Sequence, residues 1–488
     1  MNFTIENFLL IGSVLLLISI IAGKASYRFG IPTLILFLVI GMLAGSEGIG
    51  GLHFDDPKLA RFIGIASLNF ILFSGGLDTN WSSIRPVFWQ GFSLSTLGVL
   101  LTALSLGTFI WLVTDFTLFE GFLLGAIVSS TDAAAVFSIL RSKSLALKGN
   151  LRPTLEFESG SNDPMAYVLV ITFLGLVVQP DKGAGPVIAL FFTQMLIGGV
   201  LGYLFGRLSK IIINRIHLDF EGLYPVLVVA LMFITFSATD FLKGNGFLAV
   251  YLCALYLGNQ DIMHKKTILK VFDGFAWLMQ IVLFLTLGLL VFPSHIPPVI
   301  GIGFLISLFL ILVARPLAVL ISLSFFRMKS RKRWYISWVG LKGAVPIVFA
   351  TYPLLEGIAK ADMIFNIVFF ISLTSLLLQG TTIGTVARWL HVALPERVRP
   401  KPPEFNVPSE GAKNAMAEIR IPPDSYPVNK KILDLHFPKS ALIVMINRKN
   451  EFITPNGSTV IEADDLLIVL ADSQDGINQV YECLRLKP

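Results

Sequence analysis

Apolar residues in this chain gather in blocks of roughly fifteen to thirty, separated by short clusters of Gly, Pro and charge. They show neither the alternation of a half-buried strand nor the single stripe of an amphipathic helix. About twenty helical residues cross the hydrocarbon of a bilayer, so blocks of this length read as membrane spans. Cutting the chain at the breaks predicts about thirteen helices, over residues 8–23, 31–46, 59–77, 87–113, 118–140, 155–178, 186–214, 222–240, 246–258, 271–292, 298–326, 333–355 and 362–390. Near residue 395 the pattern changes to a Pro-rich polar stretch and then to a small α+β segment. In that segment 417–421, 441–446, 451–453 and 465–470 read as strands, Asn456-Gly457 as a turn and 473–484 as a closing helix. The predicted organisation is a transmembrane unit over 1–395, an extended linker over 396–411 and a soluble domain over 412–488.

Composition agrees with the blocks. The chain is 54% hydrophobic and 14% charged, against about 25% charged in soluble domains. Its net charge of +6 does not indicate nucleic acid, because the basic residues lie in short loops between apolar blocks. Alternate loops carry them: Lys24 and Arg28; Arg85; Arg141 to Arg152; Arg207 to Arg215; Lys265 to Lys270; Arg327 to Arg333. The positive-inside rule places these in the cytoplasm, with the N-terminus outside and the C-terminus inside, as suits a multi-pass protein of a bacterial inner membrane. The first block follows Glu6 and has no small-residue cleavage pattern, so it reads as a retained span. Cys253 and Cys483 form no metal or disulfide pattern, the six histidines are dispersed, and no hydrolase or nucleotide-triphosphatase motif occurs. An enzyme and a resident cofactor are both disfavoured.

Ionisable groups at membrane depth are expensive and mark function or pairing. The densest group is Glu156-Phe157-Glu158-Ser159-Gly160-Ser161-Asn162-Asp163-Pro164. On a helix, Ser159 and Asp163 share one face and Glu158 and Asn162 the adjoining one. The plainer alternative is a helix cap ahead of Pro164. A second break, Ser129-Ser130-Thr131-Asp132, interrupts the block 118–140, and a third, Gly340-Leu341-Lys342-Gly343-Ala344-Val345-Pro346, interrupts the block 333–355. Paired interruptions in two halves of a chain point to inverted repeats with crossed broken helices. Asp132 and Lys342 carry opposite charges suited to the ends of such half-helices, although Lys342 could instead extend to the interface. Arg315 lies within an apolar block and needs an anion, for which Glu158 is the nearest match in kind. That pairing leaves Asp163 to hold an exchangeable ion.

Together, Glu158 to Asp163, Thr131-Asp132, Arg315 and 340–345 resemble the NhaP-type Na+(K+)/H+ exchangers of the cation:proton antiporter superfamily, over residues 1 to about 395. The resemblance implies that Asp163 is the cation and proton site, with Ser159 and the Thr131 backbone completing coordination. It also implies Asp132 at the helix crossing, and the Glu158–Arg315 pair bracing Asn162. Ser74, in Leu72-Phe73-Ser74-Gly75-Gly76-Leu77, stands where some relatives have an acid. Residues 412–484 resemble a TrkA-C (RCK C-terminal) domain, through 440–450, 455–459 and Asp464-Asp465. Such domains bind small ligands, for instance a nucleotide, and regulate K+ transport. A homodimer is implied as well.

Burial favours the neutralised form of a carboxylate, so H+ and a monovalent cation compete for one acid. With Asn162 neutral, the site carries one negative charge, which predicts one-for-one electroneutral exchange. K+ is favoured over Na+ by the tail domain rather than by the site, whose oxygens suit either ion. The competing class is a ligand-gated cation channel; its carbonyl-rich filter sequence does not occur.

Overall fold

The computed structural model describes residues 5–29, 33–180, 184–395, 415–423, 425–448 and 451–486. It divides into two units, Met1–Arg397 and Val398–Pro488. The expected linker over 396–411 lies outside the described residues.

In the first unit the helices are α1 (Ile5–Phe29), α2 (Thr33–Ala44), α3 (Pro57–Asp78), α4 (Trp81–Val113), α5 (Leu118–Ile127), α6 (Ala133–Ser142), α7 (Leu151–Val178), α8 (Ala184–Arg215), α9 (Leu223–Phe241), α10 (Gly246–Gly258), α11 (Lys265–Leu289), α12 (Pro293–Ser322), α13 (Ser330–Trp338), α14 (Val345–Leu355) and α15 (Ala361–Trp389). Among the described residues, eight helices are long and apolar enough to cross a membrane, and five shorter apolar helices accompany them.

Local sequence sets the helix starts. Asp56 caps α3, accepting from the amides of Lys58 and Leu59 at 3.0 Å each, with Pro57 in the first turn. Thr117 and Glu120 form a capping box at α5. Asn245 caps α10 through the Leu248 amide.

The element order recurs in the second half. Helices α3, α4 and α7 begin at residues 57, 81 and 151; α11, α12 and α15 begin at 265, 293 and 361. Both α4 and α12 contain a π-helical turn, Leu94–Gly98 and Leu310–Ala314. The broken pairs α5/α6 and α13/α14 also correspond, giving the all-α inverted repeat with crossed broken helices expected from the two interruptions.

Helix α7, expected over 155–178, runs from Leu151 through Pro164 to Val178. Its capping alternative is therefore excluded, because Ser161, Asn162 and Asp163 lie in the helix interior. A two-stranded ribbon also joins β1 (Leu145–Leu147), between α6 and α7, to β2 (Ala393–Pro395) after α15. Three-residue strands give too little periodicity to be read from sequence.

In the second unit a four-stranded antiparallel sheet has the order β3-β6-β4-β5, with β3 (Ala415–Arg420), β4 (Ala441–Arg448), β5 (Glu451–Ile453) and β6 (Leu466–Ala471). Helix α16 (Gln474–Leu484) buries Ile477, Val480 and Leu484 against Ile443, Leu467 and Val469. Arg448 pins the sheet: it donates to both oxygens of the fully buried Asp465 at 2.9 and 2.8 Å, to Glu462 at 2.6 Å and to the Val460 carbonyl at 2.7 Å. Hydrogen bonding to Asp465 raises the Arg448 pKa above its ordinary value, so the guanidinium stays charged across the physiological range.

Candidate functional site

Both broken spans unwind over small or hydroxyl-bearing residues, and the structure shows where their freed backbone groups go. The Asp132 amide donates to the Leu341 carbonyl at 2.8 Å, joining the two breaks directly. Asp132 caps α6, accepting from the Ala135 amide at 3.0 Å. Lys342 is 1% exposed, and its Nζ donates to the carbonyls of Ser129 and Ser130 at 3.1 and 2.8 Å, just past the C-terminus of α5. Lys342 therefore does not extend to the interface. An anion meets the N-terminus of α6 and a cation the C-terminal side of α5, the favourable sense for both helix dipoles. Helix α15 satisfies the second break, with Ser375 Oγ accepting the Lys342 amide and Gln379 donating to the Trp338 carbonyl. Gly343 fits only because it lacks a side chain: a Cβ there would overlap the Asp132 carboxylate.

Helix α7 passes this crossing. Ser159 Oγ donates to the Thr131 carbonyl at 2.9 Å and accepts from the Ala133 amide at 3.0 Å, so it fills the gap in the first broken span. Asn162 Nδ2 donates to Thr131 Oγ1 at 2.6 Å. Arg315 Nη2 bonds Glu158 Oε1, both side chains being almost fully buried. A Cβ on Gly340 would come within 2.7 Å of Arg315 Nε, so the guanidinium is wedged beneath the second break. Among the described residues no hydrogen bond joins this ion pair to Asn162. Asn162 is held by Thr131, and its own Oδ1 has no hydrogen-bond partner. The reason is helical geometry, since Asn162 lies one turn beyond Glu158, level with the unwound segment.

Asp163 has Ser130 as a polar neighbour, and its Oδ1 is buried without a hydrogen-bond partner. It lines a cavity of about 510 Å³ together with Ser130, Thr131, Asp132 and Ser159. Arg141 and Arg152 stand out in the sequence only as basic loop residues, and Asp78 does not stand out at all. All three line this cavity, as do Glu156, Tyr251 and Asp273. The exposed Asp78, Arg141, Arg152 and Asp273 mark its open end, at the C-termini of α3 and α6, the N-terminus of α7 and the first half of α11. Glu156 carried a readable signal, standing two helical turns before Asp163 on the same face. Ser74 lines a smaller neighbouring cavity of about 200 Å³, one turn from Asp78.

Beyond Asp163 in the other direction the space is filled. Tyr167, one turn further along α7, packs on Phe247, Phe349 and Tyr352 with ring centroids 5.1, 5.9 and 5.9 Å away. Arg61, near the start of α3, covers the Tyr352 ring at 4.2 Å.

Crossed broken spans, with charges seated at their ends and an acid at the foot of a cavity open on one side, define a secondary transporter of the inverted-repeat kind. Residues 13–389 match the family model described as "Sodium/hydrogen exchanger, transmembrane", and residues 416–484 match the TrkA-C domain. The chain belongs to the sodium/hydrogen exchanger family and carries a TrkA-C domain. Among its relatives, a K(+)/H(+) antiporter NhaP of Alkalimonas amylolytica is 40% identical over 475 residues, covering 96% of this chain and 81% of that protein. A K(+)/H(+) antiporter NhaP2 of Shewanella sp. strain MR-4 is 39% identical over 478 residues, covering 96% and 82%. The solved structure of the sodium proton antiporter MjNhaP1 of Methanocaldococcus jannaschii at pH 8 superposes with a TM-score of 0.68. It is 26% identical and covers 79% of this chain and 99% of its own.

Proposed function

We propose that this protein exchanges a monovalent cation, K+ in the first place and Na+ as the alternative, for protons at Asp163, one for one and without net charge movement. The observation that carries the reading is the arrangement of charge around the cavity foot. Glu158 is matched by Arg315, and Asp132 and Lys342 occupy the two ends of the crossing, so Asp163 supplies the one negative charge in excess. A single H+ or a single K+ neutralises it equally well. Ser159 and the Thr131 carbonyl lie beside it on the cavity wall and would share coordination once the cation displaces the bond between them, with Asn162 joining through its unpaired Oδ1. The relatives named as K(+)/H(+) antiporters support K+ as substrate.

In this reading residues 1–395 are the exchanger, 396–411 the linker and 412–488 a regulatory domain that takes a small ligand such as a nucleotide. With the basic loops in the cytoplasm, as the positive-inside rule has them, the cavity mouth opens to the cytoplasm of a bacterial cell, cation leaves, protons enter, and the protein works as a homodimer. Asp163→Asn should abolish cation-dependent proton movement in everted vesicles while the protein still inserts and purifies as a folded species. Persistent exchange in that variant would remove Asp163 from the site.

A further inference from the structure

Tyr251 sits on α10, a helix whose other buried side chains are apolar or, in Cys253, a thiol. It is 1% exposed, it lines the same cavity as Asp163, and its hydroxyl makes no hydrogen bond. Thr79 and Ser161 are its polar neighbours, yet no bond to either closes. A buried hydroxyl is rarely left unpaired in a native structure without a partner to receive.

Its position is set by two features of α7. Gly160 admits the ring: a Cβ there would meet Tyr251 Cζ and Oη at 2.6 and 2.7 Å. Pro164, four residues on, has no amide proton and so withdraws the donor that the Gly160 carbonyl would otherwise bind. The hydroxyl therefore lies against Gly160, a residue whose carbonyl is short of a donor, and both residues line the cavity about one helical turn from Asp163 on the side of Glu156. Both oxygens are neutral and hard, the ligand type that replaces water around an alkali cation.

We propose that Tyr251 Oη and the Gly160 carbonyl form a subsite for a partly dehydrated monovalent cation on its way to Asp163, and that Tyr251 helps to set which cation is accepted. The inference rests on the antiport reading above but adds no charge to it, so the one-for-one stoichiometry is untouched.

The test is cation-dependent proton movement in everted vesicles, titrated separately with K+, Na+ and Rb+, for the unsubstituted protein, Tyr251→Phe and Gly160→Ala. Tyr251→Phe keeps the ring and removes only the oxygen. Its KM for the preferred cation should rise about three- to tenfold, the worth of one good polar contact, by more than kcat falls, and the KM ratio between cations should change. Gly160→Ala, which displaces the ring, should shift KM in the same direction. An unchanged KM for every cation in Tyr251→Phe, or a loss of kcat alone, would overturn the subsite while leaving Asp163 exchange standing. Absence of exchange in the unsubstituted protein would overturn the antiport reading, and the subsite with it.

Discussion

Replacing the buried ion pair tests whether Glu158 and Arg315 support the site or belong to it. Both side chains are at most 2% exposed, so Glu158→Leu strands a guanidinium beneath Gly340, and Arg315→Leu strands a carboxylate inside α7. Breaking a buried pair from one side costs about 3–5 kcal/mol, because the surviving charge has lost the partner it is bonded to. That is a large share of the roughly 5–15 kcal/mol of a typical folded protein, so each single variant should unfold at markedly lower temperature. Glu158→Leu with Arg315→Leu removes both charges together, and since the pair is neutral overall the excess charge at Asp163 is unchanged. The double variant should recover most of the loss, giving a coupling of about 3 kcal/mol in a double-mutant cycle. With the partly exposed Cys483 replaced by serine, thermal unfolding of the detergent-solubilised protein can be followed by the reaction of a thiol dye with Cys253, which is buried in the native fold. Exchange in everted vesicles provides the second readout. Additive losses would refute the pairing. A folded double variant that has lost cation dependence would place the pair within the ion site and undo the charge count.

Gly343→Ala should cut exchange more than tenfold or prevent assembly, because the added methyl overlaps Asp132, whereas Gly12→Ala, which meets no atom within 4 Å, should be silent in the same vesicle assay. Arg448→Ala leaves Asp465 buried and uncompensated at a cost of about 3 kcal/mol, so the tail of the full-length protein should become sensitive to trypsin under conditions where the unsubstituted tail resists; equal resistance would reject Arg448 as its pin. Clamping the membrane potential with K+ and valinomycin should leave the exchange rate unchanged, and a rate that follows the voltage would reject one-for-one exchange.

Much of this architecture was legible because the bilayer imposes a simple code. Long apolar blocks, basic loops and two polar interruptions were enough to place the repeats, and Asp132, Asp163 and Lys342 stood out as charges at membrane depth. Two things were not legible. The partner of Asn162 depended on which side of α7 faces the unwound segment, a matter of a single residue's rotation. Tyr251 was hidden because a tyrosine in an apolar block reads as core; only the glycine opposite it and its unpaired hydroxyl distinguish it.

The aromatic plug around Tyr167 bears on speed. Asp163 and Tyr167 are neighbours on one helix, so an ion held at the acid as proposed would have the cavity behind it and close-packed rings ahead of it. To leave on the far side it must wait until Tyr167, Phe349 and Tyr352 part and Arg61 lifts from the Tyr352 ring. Unpacking such a cluster is a collective motion on the microsecond-to-millisecond scale or slower, not the passage of an ion through a standing pore. Each crossing thus has its own thermal barrier, and flux should fall steeply on cooling, where a channel's conductance would decline only gently.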